Sequence, residues 1–264
     1  MAELSAPLGS AVTIGVATAG QIQPETGVVV EAPNLGWHDV PLRAHLAEAT
    51  RDPVFVENDV RAAAWGEFRH GAGQGAGSLI AVFVGTGVGS GAVLGGTLWR
   101  GAGNAAGEVG HTQVVVDGLP CPCGQSGCME QYGSGSGFQR RFKDAAGHEN
   151  SRLAALSGGE ASHLTAAMVE QAAREGDALA REMWSDAERY LTLGIANYVT
   201  VVNPEMLVLG GGVIESVPRL FTAIAEGVMR RTTVLARRSL RIEHARLGDW
   251  SGVVGAAALA GVPG

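Results

Sequence analysis

The three cysteines of this 264-residue chain all fall within one short stretch, as Cys121, Cys123 and Cys128, and His111 lies just upstream of them. A chain that gathers its thiols in this way has to fold that loop back on itself. Three thiolates and one imidazole form the donor set of a closed, tetrahedral structural zinc site, and Gly124 and Gly127 permit the tight turns such a loop needs. The competing arrangement is a disulfide with one thiol left over, which fits poorly with an odd cysteine count and no secretory signal. Carboxylates bracket the loop, with Glu108 before His111 and Glu130 after Cys128. An imidazole bound to metal through one nitrogen keeps the other for a ligand hydroxyl, and carboxylates that accept two hydrogen bonds suit a polyol such as a sugar. Spacing alone equally allows Glu108 and Glu130 to be solvated loop acids.

Composition narrows the partners. The chain is long enough to bury a full core, and its 40 glycines are spread throughout, which predicts many tight turns and close backbone approaches. The formal charge is -7 and Lys143 is the sole lysine, so the basic footprint of a nucleic-acid binder is missing. No apolar run is long enough for a bilayer, and the start carries no charged-then-apolar leader. With reduced cysteines, these features predict a cytoplasmic protein with neither a nucleic-acid nor a membrane partner.

Residues 1–10 read as a frayed lead-in. The apolar run 11–17 reads as a buried strand, and residues 24–27 as a turn into a second strand. A helix follows Pro41. Residues 54–56 form a short strand, and Val60, Ala63, Ala64 and Phe68 then recur at helical spacing, so Asn58 and Asp59 fall at a strand-to-helix junction. Residues there commonly cap the helix, and open α/β sheets also place their chemistry there. Residues 79–101 predict a strand, a glycine-dense turn, a second strand and a two-residue hairpin at Gly95 and Gly96. The run GTGVGSG is followed by no GK[ST], so it is not a Walker A loop. Two long helical stretches come next, broken at Gly176 and Asp177, with Met183, Trp184, Leu191 and Ile195 assigned to the core. Asn203 and Pro204 end the second helix, and a buried strand then runs into Gly210, Gly211 and Gly212. A helix over 218–231, a strand over 240–247 and a small-residue helix over 250–261 complete an α/β alternation.

The pattern ExGH, Glu108 to His111, followed by CxCGxxGCxE, Cys121 to Glu130, resembles the signature of the ROK family of repressors and sugar kinases, which includes bacterial glucokinases. The likeness runs from about residue 11 to the C-terminus, and residues 34–42 resemble the family's connection into a helix. The resemblance implies a two-domain, ribonuclease H-like fold shared with actin and heat-shock ATPases, with a zinc-stapled loop and the active site in the cleft. It implies a smaller domain over 1–63, rejoined by a C-terminal helix over 248–264, and a larger one over 64–247. Asn58, Glu108, His111 and Glu130 would bind a hexose, and Asp59 would be the general base. His111, Cys121, Cys123 and Cys128 would hold one zinc ion. Gly85, Thr86 and Gly87 would meet the phosphates of ATP, and Gly210, Gly211 and Gly212 its adenosine. The implied activity is magnesium- and ATP-dependent phosphorylation of a hexose, most simply glucose to glucose 6-phosphate, by a homo-oligomer, a dimer or tetramer. Two departures are visible. Ala19 stands where a proline usually precedes Gly20. The family's opening DxGGT segment is not found, since the GGT at Gly95 to Thr97 belongs to the hairpin. Either the chain begins late, with its first sheet short of initial strands, or it has lost nucleotide binding and is a non-catalytic sugar-binding regulator. The acidic charge weighs against a repressor.

Overall fold

The computed structural model describes residues 13–145 and 148–261. The lead-in read over 1–10 and the first positions of the strand read over 11–17 lie outside the described residues. The chain divides into two compact units, one of Met1–Ala81, Gly91–Gly107 and Ala245–Gly264, the other of Val82–Ser90 and Glu108–His244.

The first elements are β1 (Ile14–Thr18), β2 (Gln21–Gln23), β3 (Val28–Ala32), β4 (Trp37–Val40), α1 (Leu42–Thr50), β5 (Val54–Asn58) and α2 (Asp59–His70). Strand β1 pairs in parallel with β5, which sets Thr18 opposite Asn58. Strands β2, β3 and β4 form an antiparallel sheet. Strand β4 corrects the connection expected over residues 34–42. Gly36, at φ 65°, turns the chain back so that residues 37–40 pair with β3, and Trp37 and Val40 pack on the core of Ile22, Val29, Ala32 and Val56.

Next come β6 (Leu79–Val84), β7 (Val88–Leu94), β8 (Thr97–Trp99), α3 (Glu130–Gly133), α4 (Gly135–Asp144), α5 (Arg152–Ser157), α6 (Ala166–Arg174) and α7 (Ala178–Val202). The last are β9 (Met206–Gly210), α8 (Gly212–Ser216), α9 (Pro218–Arg231), α10 (Val234–Ser239), β10 (Arg241–His244) and α11 (Ser251–Ala260). One sheet has the strand order β10-β9-β6-β7-β8. Its hairpin carries Gly95 and Gly96 at φ 56° and 75°, the left-handed pair that a two-residue turn requires. Helix α7 starts where the Asp177 side chain accepts from Ala180 N–H and stops at Asn203, which is left-handed. Its Met183, Trp184, Leu191 and Ile195 are buried, as the apolar periodicity predicts. Among the described residues no helix is long and apolar enough to cross a membrane.

Two features hold the first unit. Helix α11 lies against α2 and β1 at backbone distance. A Cβ on Gly255 would sit 1.7 Å from the Ala62 carbonyl oxygen, and one on Gly15 2.1 Å from that of Ala256. Small residues are therefore what lets these elements meet. The second is Glu67, which is 0% exposed near the end of α2. Its carboxylate accepts from Leu247 N–H at 2.8 Å, Arg246 N–H at 3.0 Å, Ser251 Oγ at 3.1 Å and Ala72 N–H at 2.9 Å. One side chain thus serves the approach to α11 and the exit of α2. Glu67→Ala removes the acceptor of the buried Ala72 N–H and of the part-buried Leu247 N–H, each unmet donor costing about 1–3 kcal/mol, so thermal denaturation should show a loss of about 2 kcal/mol or more. A melting temperature equal to that of the parent would refute this role.

Candidate metal centre and adjoining glycine turns

In the second unit the four expected metal ligands converge. The ligand atoms of His111, Cys121, Cys123 and Cys128 all lie within 4.8 Å of one another. His111 Nδ1 stands 3.7 Å from Cys121 Sγ, and Cys123 Sγ stands 3.7 Å from Cys128 Sγ. The loop closes through bridges pairing Gln113 with Cys128 and Pro120 with Ser126. The left-handed Gly127 is required there, since a Cβ would fall 1.7 Å from the Val115 carbonyl oxygen.

Thiol chemistry tests whether this set fits a cation. Burial, then the neighbouring sulfurs, pushes the Cys128 thiol up to about 12, and burial above all raises Cys121. At Cys123 burial acts in the same direction but is outweighed by hydrogen bonds from the Gln125 backbone and the other two thiols, which leave it below an ordinary thiol. Three thiolates this close repel one another unless a cation lies among them. The cluster is compatible with structural zinc, and its soft sulfur donors suit that ion.

The cluster leads directly into α3. That helix is seated on α7 where two glycines make room: a Cβ on Gly194 would lie 2.3 Å from the Met129 sulfur, and one on Gly133 2.4 Å from the Leu191 side chain. Glu130 Oε2 accepts from Val88 N–H at 2.9 Å, and a Cβ on Gly87 would lie 2.5 Å from the same oxygen. The carboxylate therefore rests on the Gly85–Gly87 turn and keeps Oε1 for another donor. On the other side of the turn, Gly135 N–H donates to Gly85 O at 2.8 Å and Ser136 N–H to Thr86 O at 3.0 Å. In a trans peptide the carbonyl and the following N–H point oppositely, so these bonds aim the N–H groups of Thr86 and Gly87 away from α4. Neither N–H has a protein partner among the described residues. Paired free amides of this kind form an anion-binding concavity.

The second glycine turn adjoins the first. Gly211, at φ 92°, admits no side chain, because a Cβ would lie 2.6 Å from the Val84 carbonyl oxygen. A Cβ on Gly85 would lie 4.0 Å from Gly212 N. Gly210, Gly211 and Gly212 thus close β9 beside the end of β6. Glu108 is exposed, and its side chain makes no hydrogen bond or ion pair among the described residues.

Asn58 and Asp59 belong to the first unit, at the β5–α2 junction. Asn58 Oδ1 accepts from Val60 N–H and Arg61 N–H, both at 3.1 Å, so Asn58 is the helix cap, an arrangement worth about 1 kcal/mol. Its Nδ2 donates to Gly20 O at 3.3 Å, which leaves one hydrogen uncommitted. Asp59 Oδ1 accepts from Val60 N–H at 2.9 Å, and Oδ2 remains.

Two groups of residues escape a reading by motif. In the first unit Glu57, 2% exposed, accepts from Asn58 N–H, from Arg61 Nε at 2.9 Å and from Arg100 Nε at 2.7 Å, and Arg61 Nη1 donates to Asn104 O at 2.9 Å. This buried ionic knot holds the junction that carries Asp59. A charged Glu and Arg four residues apart around an Asn-Asp pair is the signal that could have revealed it. In the second unit the pair is Gln131 and Arg140, which adjoins the candidate metal ligand Cys121.

Comparison with known proteins agrees with this geometry. The sequence model of the ROK family matches residues 1–262. The chain is 37% identical to a glucokinase of Halalkalibacterium halodurans over 92% of its own length and 74% of that protein. It superposes on the crystal structure of a ROK family glucokinase from Streptomyces griseus in complex with glucose and AMPPNP with a TM-score of 0.79, at 35% identity, covering 97% of this chain and 84% of that one. It is also 31% identical to a xylose repressor of Caldicellulosiruptor bescii, over 93% of this chain and 61% of that protein. The fold is the actin-like ATPase fold of ROK sugar kinases.

The thiol chemistry sets a pH dependence. Cys121 and Cys128 are both protonated near neutrality without metal, so zinc must displace at least two protons. Affinity then rises with pH and falls by at least about 100-fold for each unit of acidification. Competition with a chromophoric chelator at two pH values one unit apart measures this, and Cys128→Ser should abolish stoichiometric zinc. An affinity independent of pH would contradict the assignment.

Proposed function

The chain belongs to the ROK family, and on that footing we propose that it transfers the γ-phosphoryl group of ATP to a hexose hydroxyl, most simply the 6-hydroxyl of glucose. The observation that carries this reading is Glu130, a sugar-binding candidate whose carboxylate rests by hydrogen bond on the glycine turn with two free amides. A candidate sugar-binding carboxylate and a candidate phosphate-binding turn, far apart in the chain, thus lie in direct contact. The glucokinase relatives support the same chemistry.

In this mechanism the hydroxyl oxygen forms the new bond to the γ-phosphorus while the bond from that phosphorus to the β,γ-bridging oxygen breaks and ADP leaves. The proton released passes to Asp59 Oδ2, since Oδ1 already accepts from Val60 N–H. Catalysis of this kind is mostly positioning and charge stabilisation. Glu130 Oε1 and Glu108 accept from sugar hydroxyls, the remaining Nδ2 hydrogen of Asn58 donates, and His111 offers Nε2 because Nδ1 faces the sulfurs. Gly85, Thr86 and Gly87 receive the phosphates, and Gly210, Gly211 and Gly212 the adenosine. Magnesium supplies charge neutralisation on the phosphates. A structural zinc ion, which His111, Cys121, Cys123 and Cys128 would hold, would fix the His111 ring. The reading includes a homo-oligomer, dimer or tetramer, supported by the family resemblance, and a cytoplasmic location, supported by cysteines kept as thiols.

A second reading is favoured by the likeness to a xylose repressor. In it the same sugar and metal residues serve a regulator that transfers no phosphoryl group. Asp59→Asn separates the two. If Asp59 is the base, the variant loses about 10²- to 10⁴-fold in kcat while calorimetry shows sugar affinity unchanged. Equal loss of turnover and sugar binding would overturn the assignment, and a parent protein that binds hexose without turning over Mg-ATP would favour the regulator.

A further inference from the structure

We infer that Gln131 and Arg140 form a polar relay joining the Cys3His centre to the Gly85–Gly87 turn, with Gln131 setting metal retention and Arg140 acting as a positioning residue for both. The phosphate half of this inference rests on the function proposed above; the metal half does not.

Gln131 is 3% exposed, and its Nε2 donates to Cys121 Sγ at 3.2 Å. Its Oε1 accepts from Arg140 Nε at 3.0 Å. A guanidinium has donors only, so the amide oxygen must face Arg140 and the NH2 group must face sulfur. The orientation of the amide is therefore dictated by its partner. An N–H directed at a thiolate stabilises the charged form, which is the form that binds metal. A dication held by three thiolates and a neutral imidazole leaves one negative charge, and Arg140 lies one amide away with the opposite charge.

The other end of Arg140 reaches the turn. Nη2 donates to Ser136 Oγ at 3.0 Å, and the Ser134 and Ser136 hydroxyls stand 3.3 Å apart. Since Ser136 Oγ accepts from Arg140, its own hydrogen is available to Ser134 Oγ, which also accepts from Gly137 N–H at 2.9 Å as the cap of α4. The backbone N–H groups of Gly135 and Ser136 are those that hold the Gly85 and Thr86 carbonyls. Arg140 thus touches, on one side, the group that steadies a metal ligand and, on the other, the residue that aims the Gly87 amide. Loss of metal or of Arg140 lets the Ser134–Ser136 segment relax and the two peptide planes of the turn rotate.

The full chain with Arg140→Met and Gln131→Met tests this, alone and combined. Each single variant should retain zinc about 10–100-fold less tightly against a chromophoric chelator, the usual effect of removing an outer partner of a ligand. The double variant should be no worse than Gln131→Met alone, because Arg140 acts on the metal through Gln131. With cobalt in place of zinc, the thiolate-to-cobalt absorption should shift in both single variants, a change that general destabilisation does not produce. Calorimetric titration with Mg-ATP should show affinity lowered roughly fivefold in Arg140→Met, the effect of about one hydrogen bond. Additive zinc losses, an unshifted cobalt spectrum or zinc retention equal to the parent would each overturn the relay. If Arg140→Met does not fold, Arg140→Lys keeps the charge with a single donor head; intermediate retention supports the relay and parental retention overturns it. A parent that binds zinc but no Mg-ATP would overturn the phosphate role of the turn, and the zinc and cobalt results would still decide the metal half.

Discussion

Three sulfurs and an imidazole held within 4.8 Å of one another are the constraint from which the second unit is built. As free thiolates they would repel, and burial penalises the charged form of Cys121 and Cys128, which pushes both thiols up. A cation at their centre would relieve both costs and fasten the chain from His111 to Cys128. The segment leaving that closed loop is short and without slack. Met129 seats on α7, Glu130 rests on the amide of Val88, Gln131 turns back to Cys121, and Ser134 begins α4. The Cys3His loop therefore adjoins the glycine turn through Glu130 and Val88.

The first unit is held by close backbone packing and buried carboxylates. Glycines and alanines allow α11 to approach α2 and β1 at backbone distance, and buried carboxylates secure both ends of α2. Glu67 gathers the donors at its C-terminal end. Glu57, with Arg61 and Arg100, fastens the strand end that precedes its N-terminus. Such ionic knots contribute less to net stability than to a unique geometry, because desolvation offsets much of the attraction. Here that geometry orients the junction of Asn58 and Asp59.

Much of this was legible in local pattern. Helical and strand periodicity located α2, α7, α9 and β9, the paired glycines announced the hairpin, and the cysteine spacing announced a clustered Cys3His donor set. Strand β4 was not legible, because its pairing with β3 depends on a reversal at Gly36 and on a core contributed by distant residues. Asn58 illustrates the intermediate case. Its position at a helix start was readable, but the structure commits both its oxygen and one N–H to backbone, which narrows what it can offer a sugar. Gln131 and Arg140 were invisible for another reason: neither belongs to a spacing rule, and their significance lies in which donor faces which acceptor.

The amino-acid sequence by itself determined the longer helices and buried strands, the Cys3His donor set and the family to which the chain belongs, because periodicity and donor chemistry are properties of short stretches. Only the tertiary structure decided that Glu130 lies on the turn 42 residues before it, that Gly85 meets Gly212 and that Glu67 receives donors from residues 246–251. Those contacts join positions far apart in the chain. Their geometry is set by backbone approach distances that glycines permit and by buried donors that must each find an acceptor.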